Sequence, residues 1–329
     1  MPLTTSRTRR TPLWLIATVV IGLALSSCSS DDDPSAADST TSETEPVIMS
    51  TAEDGIRIER IAYPTRGDAD PDQNWGDFYL PAGKHAADTV PLVVLIHGGS
   101  WKSKLDAQTM RPYALDLVKR GMAVYNVEYR RVGSGGGWPT TFSDVADALD
   151  HVPAIDRRHP EITTDDELVV GHSAGAQLAT WSGTRNKLNP NELGADPKFR
   201  PTRVVSLAGP LDMVYAAHHG NDRIVTALGG TPEQVPDRYA SVDPVQNIDP
   251  TMPVIAVHGD KDALVPPILS ERYIDAVERQ NGIGDLVIAR GEDHVSIVSA
   301  DSRVYGTILD IITDASGKTV DQLDDLYSK

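Results

Sequence analysis

The residues with the clearest chemical meaning are Gly171-His172-Ser173-Ala174-Gly175, where a hydroxyl side chain stands between small residues two places before and two places after it. A serine held on a tight turn needs such neighbours, because bulkier side chains would collide across the turn. Its hydroxyl is a weak nucleophile at neutral pH, so a base must take its proton and a third group must orient that base. The base is expected from Gly291-Glu292-Asp293-His294, which makes His294 the candidate. The acid is expected from His258-Gly259-Asp260-Lys261-Asp262, which offers Asp262 and, as a competitor, Asp260. A fourth segment, His97-Gly98-Gly99-Ser100-Trp101, could aim backbone N–H groups at a developing oxyanion. Gly99 and Ser100 are its expected donors, with Gly98 open as a third, and Ala174, next after the serine, would supply the other amide.

Groups so distant in sequence meet only if regular elements carry them to one place. Short aliphatic runs at 56–62, 78–80, 92–96, 122–127, 168–170, 204–207, 254–257 and 286–289 read as strands. Amphipathic stretches at 110–119, 143–152, 174–181, 268–279 and 303–313 read as helices, the first stopped by Gly121. Strand and helix in alternation predict an α/β fold with a mostly parallel sheet covered on both faces. Each candidate group then follows the end of a strand, and the chain order is Ser, Asp, His.

With LIHGGSW, Asn126-Val127-Glu128-Tyr129-Arg130, GHSAG, HGDKDALVP and GEDH in this order, the chain resembles the α/β-hydrolase superfamily over roughly 91–313. It is most similar to the branch of acetyl-esterase, feruloyl-esterase-like and kynurenine-formamidase-like enzymes. The resemblance implies an α/β-hydrolase fold with a short cap and the catalytic set Ser173, Asp262 and His294. In that branch the acid lies three residues after the Gly of the HG pair, which selects Asp262. Ser100 stands where hormone-sensitive-lipase relatives carry a third glycine of HGGG, a departure from that group. The expected reaction is hydrolysis of a short-chain or aromatic carboxylic ester through an acyl-enzyme. An exopeptidase or an amidase or formamidase would use the same triad. A lipid-anchored solute-binding or scaffold protein would need none of these motifs. No metal or organic cofactor is implied.

The N-terminus carries separate information. Arg7, Arg9 and Arg10 precede an apolar run, 13–25, that suits a signal peptide better than the roughly 20 residues of a transmembrane helix. Leu25-Ser26-Ser27-Cys28 resembles the lipobox of bacterial lipoproteins, and Cys28 is the single cysteine of the chain. The expectation is a signal peptide over 1–27, lipid on Cys28, an acidic tether over 28–48 and a hydrolase domain over 49–329. Export would place that domain on the extracytoplasmic side, anchored to the membrane through Cys28. The 329 residues carry 47 acidic against 30 basic side chains, a net charge of -17, so no nucleic-acid partner is expected. One cysteine also excludes an internal disulfide or a cysteine-rich metal site.

Other residues are expected to serve structure. His97 and His258 would shape their loops, His172 would pack or hydrogen-bond, and Asp293 would be exposed. His218 and His219 are adjacent, so their rings seldom converge on one metal. Trp101 either lines or covers the pocket. The interval 211–253 allows a short helical cover, not a large separate cap.

Overall fold

A computed structural model describes residues 48–51, 53–102, 104–318 and 322. The chain divides into Met1–Thr44 and Glu45–Lys329, and every described residue belongs to the second unit. The signal segment, Cys28 and the tether up to residue 47 lie outside the described residues.

Nine strands form one sheet: β1 (Ile48–Thr51), β2 (Arg57–Ala62), β3 (Trp75–Leu80), β4 (Val90–Ile96), β5 (Ala123–Val127), β6 (Ile162–His172), β7 (Arg203–Leu207), β8 (Val254–Gly259) and β9 (Gly284–Ala289). Their spatial order is β1-β2-β3-β5-β4-β6-β7-β8-β9. The first three pair antiparallel with their neighbours, and the six from β5 to β9 run parallel. This is the mostly parallel open sheet of an α/β-hydrolase fold. β1 begins at Ile48, paired with Arg60, so the last residue of the expected tether lies in a strand of the sheet.

Helices α1 (Arg111–Lys119), α2 (Thr140–Asp150), α3 (Val152–Arg158), α4 (Ala174–Ser182), α8 (Ile268–Arg279) and α9 (Tyr305–Gly317) cover the sheet. The central strands read as unbroken aliphatic runs because both of their faces are buried. In β4, Leu92, Val94 and Ile96 pack into one core with Leu178 of α4 and Tyr273 of α8. Val93 and Leu95 turn to the other core, with Leu117 of α1 and Ile312 of α9. Each fully buried aliphatic side chain stabilises by roughly 1.5–3 kcal/mol, so the middle of the sheet is the rigid part of the molecule. The single helix expected over 143–152 is instead two, because Pro153 lacks the N–H that would continue the helical ladder past His151.

Between β7 and β8 the chain forms three short helices, α5 (Met213–His218), α6 (Asp222–Leu228) and α7 (Pro236–Val242), the short cover foreseen for that interval. Buried Asp243 ties this cover together, accepting from the amides of Met213 at 2.9 Å and Val214 at 3.3 Å and from Gln246 at 3.0 Å. Burial pushes its carboxyl up to about 6 despite those donors. Among the described residues no helix is long and apolar enough to cross a membrane.

Candidate active site

Ser173 sits between β6 and α4 with φ 56° and ψ -121°, a left-handed conformation that side chains other than glycine avoid. The turn closes because its flanking residues lack side chains. A Cβ on Gly175 would stand 2.1 Å from the Ile96 carbonyl oxygen, and one on Gly171 2.1 Å from that of Gly175. The Ser173 amide is anchored to the Leu207 carbonyl of β7 at 2.8 Å.

His294 lies in the loop after β9 and Asp262 in the loop after β8, and both reach the serine. Nδ1 of His294 is 2.7 Å from Oδ2 of Asp262, and its Nε2 is 2.8 Å from Oγ of Ser173. A carboxylate only accepts, so Nδ1 carries the proton and bare Nε2 faces the hydroxyl. All three residues are buried. Burial alone would raise the Asp262 carboxyl, but hydrogen bonds from His258, His294 and the Val265 amide outweigh it and hold it well below the usual carboxylate range. Its other oxygen accepts from the amides of Leu264 at 2.9 Å and Val265 at 2.8 Å. Asp262 therefore stays ionised and fixed in orientation. Asp260 is engaged elsewhere: its carboxylate accepts from the Gly291 amide at 2.6 Å, joining the acid loop to the base loop.

His258, below the acid, accepts from Ser270 Oγ at Nδ1 (2.7 Å) and donates from Nε2 to the Val265 carbonyl (2.8 Å). That Nε2 also lies 3.3 Å from Asp262, so His258 buttresses the carboxylate as well as shaping the loop. His172 donates from Nε2 to the His294 carbonyl oxygen at 2.9 Å, and burial brings its pKa down to about 4. It is a neutral brace for the base loop. Asp293 is exposed and accepts from the amides of Val295 and Ser296.

The glycine loop after β4 approaches the serine directly: a Cβ on Gly98 would lie 3.0 Å from Cβ of Ser173. Gly99, Ser100 and Trp101 follow with φ of 123°, 58° and 54°. Among the described residues, the amides of Gly98, Gly99, Ser100 and Ala174 have no backbone partner, so each is free to receive an oxyanion. Trp101 is buried and donates from Nε1 to Gln177 at 3.3 Å, so it packs beneath the loop and does not line an open pocket.

What holds this loop was not legible from sequence. Glu128 and Arg131, just past β5, are buried charges in contact at 2.5 Å. Glu128 also accepts from the amides of Ala107 at 2.8 Å and Tyr129 at 3.0 Å. Arg131 donates to the Leu105 carbonyl at 2.6 Å, and Nε2 of His97 lies 3.2 Å from Arg131 Nη1 and 3.4 Å from Glu128 Oε1. Nδ1 of His97 in turn donates to the Gly98 carbonyl at 2.7 Å, while the Tyr129 ring stacks on the imidazole with centroids 4.4 Å apart. Burial works against ionised Glu128, yet hydrogen bonding and charge from His97 and Arg131 win and keep its pKa below the ordinary value. A buried pair broken on one side costs roughly 3–5 kcal/mol. Glu128→Gln is therefore expected to lower stability by about 3 kcal/mol, read from the urea midpoint at constant m-value. The sequence signal was a buried strand running straight into Glu-Tyr-Arg-Arg, where charges would ordinarily mark solvent.

His218 pairs with exposed Glu233 at 2.6 Å, and His219 stacks on Tyr215 at 3.9 Å. Their rings are thus engaged with separate partners. Among the described residues, no group of three or more His, Cys, Asp or Glu side chains is arranged to hold a metal ion.

Comparison with known proteins places this geometry in a family. A monoacylglycerol lipase of Mycolicibacterium smegmatis is 26% identical over 238 residues, covering 59% of this chain and 79% of that protein. A non-reducing polyketide synthase of Stereocaulon alpinum is 28% identical over 204 residues, which span 60% of this chain but only 7% of the synthase. A truncated carbohydrate esterase from gut microbiota shares the fold, with a TM-score of 0.66 at 20% identity, covering 81% of this chain and 99% of the esterase. The BD-FAE family profile matches residues 77–276, which include the glycine loop, Ser173 and Asp262. With that match over more than half of its length, and with this sheet and this strand order, the chain belongs to the BD-FAE family of the α/β-hydrolase fold.

Proposed function

We propose that the protein is a serine esterase that cleaves a short-chain or aromatic carboxylic ester through an acyl-enzyme on Ser173. The observation carrying this is the unbroken chain of contacts from Asp262 through His294 to Ser173, at 2.7 and 2.8 Å. Ser173 Oγ attacks the ester carbonyl as His294 Nε2 takes its proton, and the amides of Gly99, Ser100 and Ala174 receive the oxyanion. The imidazolium, stabilised by ionised Asp262, then returns the proton to the departing alcohol. Water repeats the sequence on the acyl-enzyme and releases the acid. The esterase and lipase names among the similar proteins support an ester over an amide. The short cover over β7 and β8 supports a small acyl group.

A fluorophosphonate probe is expected to modify Ser173 stoichiometrically, located by peptide mapping. The protein is expected to turn over p-nitrophenyl acetate well ahead of an aminoacyl anilide. Absence of labelling in folded protein would count for a binding or scaffold role instead.

For the N-terminus we propose a lipoprotein: residues 1–27 removed as a signal, lipid on Cys28, and residues 28–48 as an acidic tether holding an extracytoplasmic domain of 49–329 near the membrane. The motif Leu25-Ser26-Ser27-Cys28 supports it. Cys28→Ser is expected to abolish metabolic labelling with palmitate and to move the protein from the membrane to the soluble fraction.

A further inference from the structure

A cleft of about 240 Å³ opens between the cover and the acid loop. One wall is apolar, formed by Leu264, Pro266 and Ile268, and the other carries Tyr215, Asn221 and Arg223. The cleft adjoins the triad through the chain itself, because the Leu264 amide is one of the two that hold Asp262.

Two features of the walls ask for a ligand. Leu264 and Ile268 are 39% and 38% exposed, among the few large hydrophobic side chains of the described residues left to solvent. Opposite them, two donors are uncommitted: among the described residues neither the Tyr215 hydroxyl nor the Arg223 guanidinium has a hydrogen-bond partner. The cations on and beside the cover are already satisfied. Arg272 pairs with Asp212 at 2.7 Å, His218 with Glu233 at 2.6 Å, and Arg238 donates to the Leu228 carbonyl at 2.7 Å. Asp222, next in sequence to Arg223, makes no ion pair with it.

We propose that this cleft is a substrate subsite for a carboxylate-bearing apolar group, with Arg223 as the residue that selects the negative charge. This deepens the esterase reading and rests on it. The apolar body of the group would lie on Leu264, Pro266 and Ile268, while its carboxylate would pair with Arg223 and accept from the Tyr215 hydroxyl. The preferred ester would then carry a free acid remote from the scissile bond, on whichever side of the bond enters the cleft.

The test compares 4-phenylbutyrate with its neutral isostere 4-phenylbutanamide by titration calorimetry on the full folded domain, a measurement that needs no turnover. The acid is expected to bind about fivefold more tightly than the amide, the scale of one partly exposed charge contact. Arg223→Gln should bring the two within twofold, Arg223→Lys should keep part of the gap, and Leu264→Asn should weaken both ligands alike. The acid should also inhibit p-nitrophenyl acetate hydrolysis competitively. Equal binding of acid and amide by the native protein, or a gap that persists in Arg223→Gln, would overturn the charge selection. Binding without inhibition would overturn the assignment as a substrate subsite. Should calorimetry succeed while Ser173 resists the fluorophosphonate, the esterase reading fails and the carboxylate site survives.

Discussion

Ser173→Ala and His294→Ala are each expected to lower kcat by roughly 10⁴ or more, and the double substitution by little more than either alone. The reason is the single proton path. Oγ of Ser173 and Nε2 of His294 are 2.8 Å apart, and among the described residues neither has a second side-chain partner that could take over the transfer. Without the imidazole the hydroxyl keeps its proton, and without the hydroxyl the imidazole has no acyl acceptor. Residual turnover would come from the oxyanion amides and from binding. Steady-state kinetics with p-nitrophenyl acetate, with folding verified by circular dichroism, reads the effect. A loss that multiplied in the double variant would mean that the two groups act independently, contrary to the contact seen.

Asp262→Asn is expected to lower kcat by about 10³–10⁴, while Asp260→Asn changes it by no more than a few fold. The amide of an asparagine at 262 could offer an N–H to His294, which would favour the wrong tautomer and turn a proton toward the serine. It would also remove the negative charge facing the imidazolium. Among the described residues the Asp260 carboxylate holds only the Gly291 amide, and asparagine can still accept that bond. The comparison is sharp because the two residues lie in one loop and share its backbone. If the Asp260 variant proved crippled and the Asp262 variant active, the carboxylate that matters would be the other one.

Much of this arrangement is local in sequence, and that part was legible. The β6–Ser173–α4 turn follows from small residues at fixed spacing, and the parallel sheet follows from aliphatic runs at 92–96, 168–170 and 254–257. Strand ends were less clear. β6 extends back to Ile162 through polar residues with little hydrophobic signal, and β1 pairs with β2 through four residues only. Helices α5 to α7 have six or seven residues each, too few for a helical period to stand out. The support of the glycine loop was hidden for a different reason. Glu128 and Arg131 lie about thirty residues beyond His97, and only folding makes buried partners of groups that look like surface charges. The same holds for His258, whose approach to Asp262 depends on how the acid loop curls back on β8.

The cover departs from the sheet after β7 and returns to it at β8, and those two strands are hydrogen-bonded neighbours, with Val204 opposite Val254. Because the two strands run parallel, the excursion leaves the sheet beyond Leu207, opposite Val257, and rejoins it at Val254, so its ends are held about 10 Å apart along the strand direction by the rigid sheet. Lengthening an already long excursion between fixed ends adds only about 0.6 kcal/mol of closure entropy per doubling. The excursion is therefore a replaceable cassette. Descent with modification, or a protein engineer, could exchange 211–253 for a longer or differently charged segment and retune what the enzyme admits while the serine, imidazole and carboxylate stay where the sheet puts them.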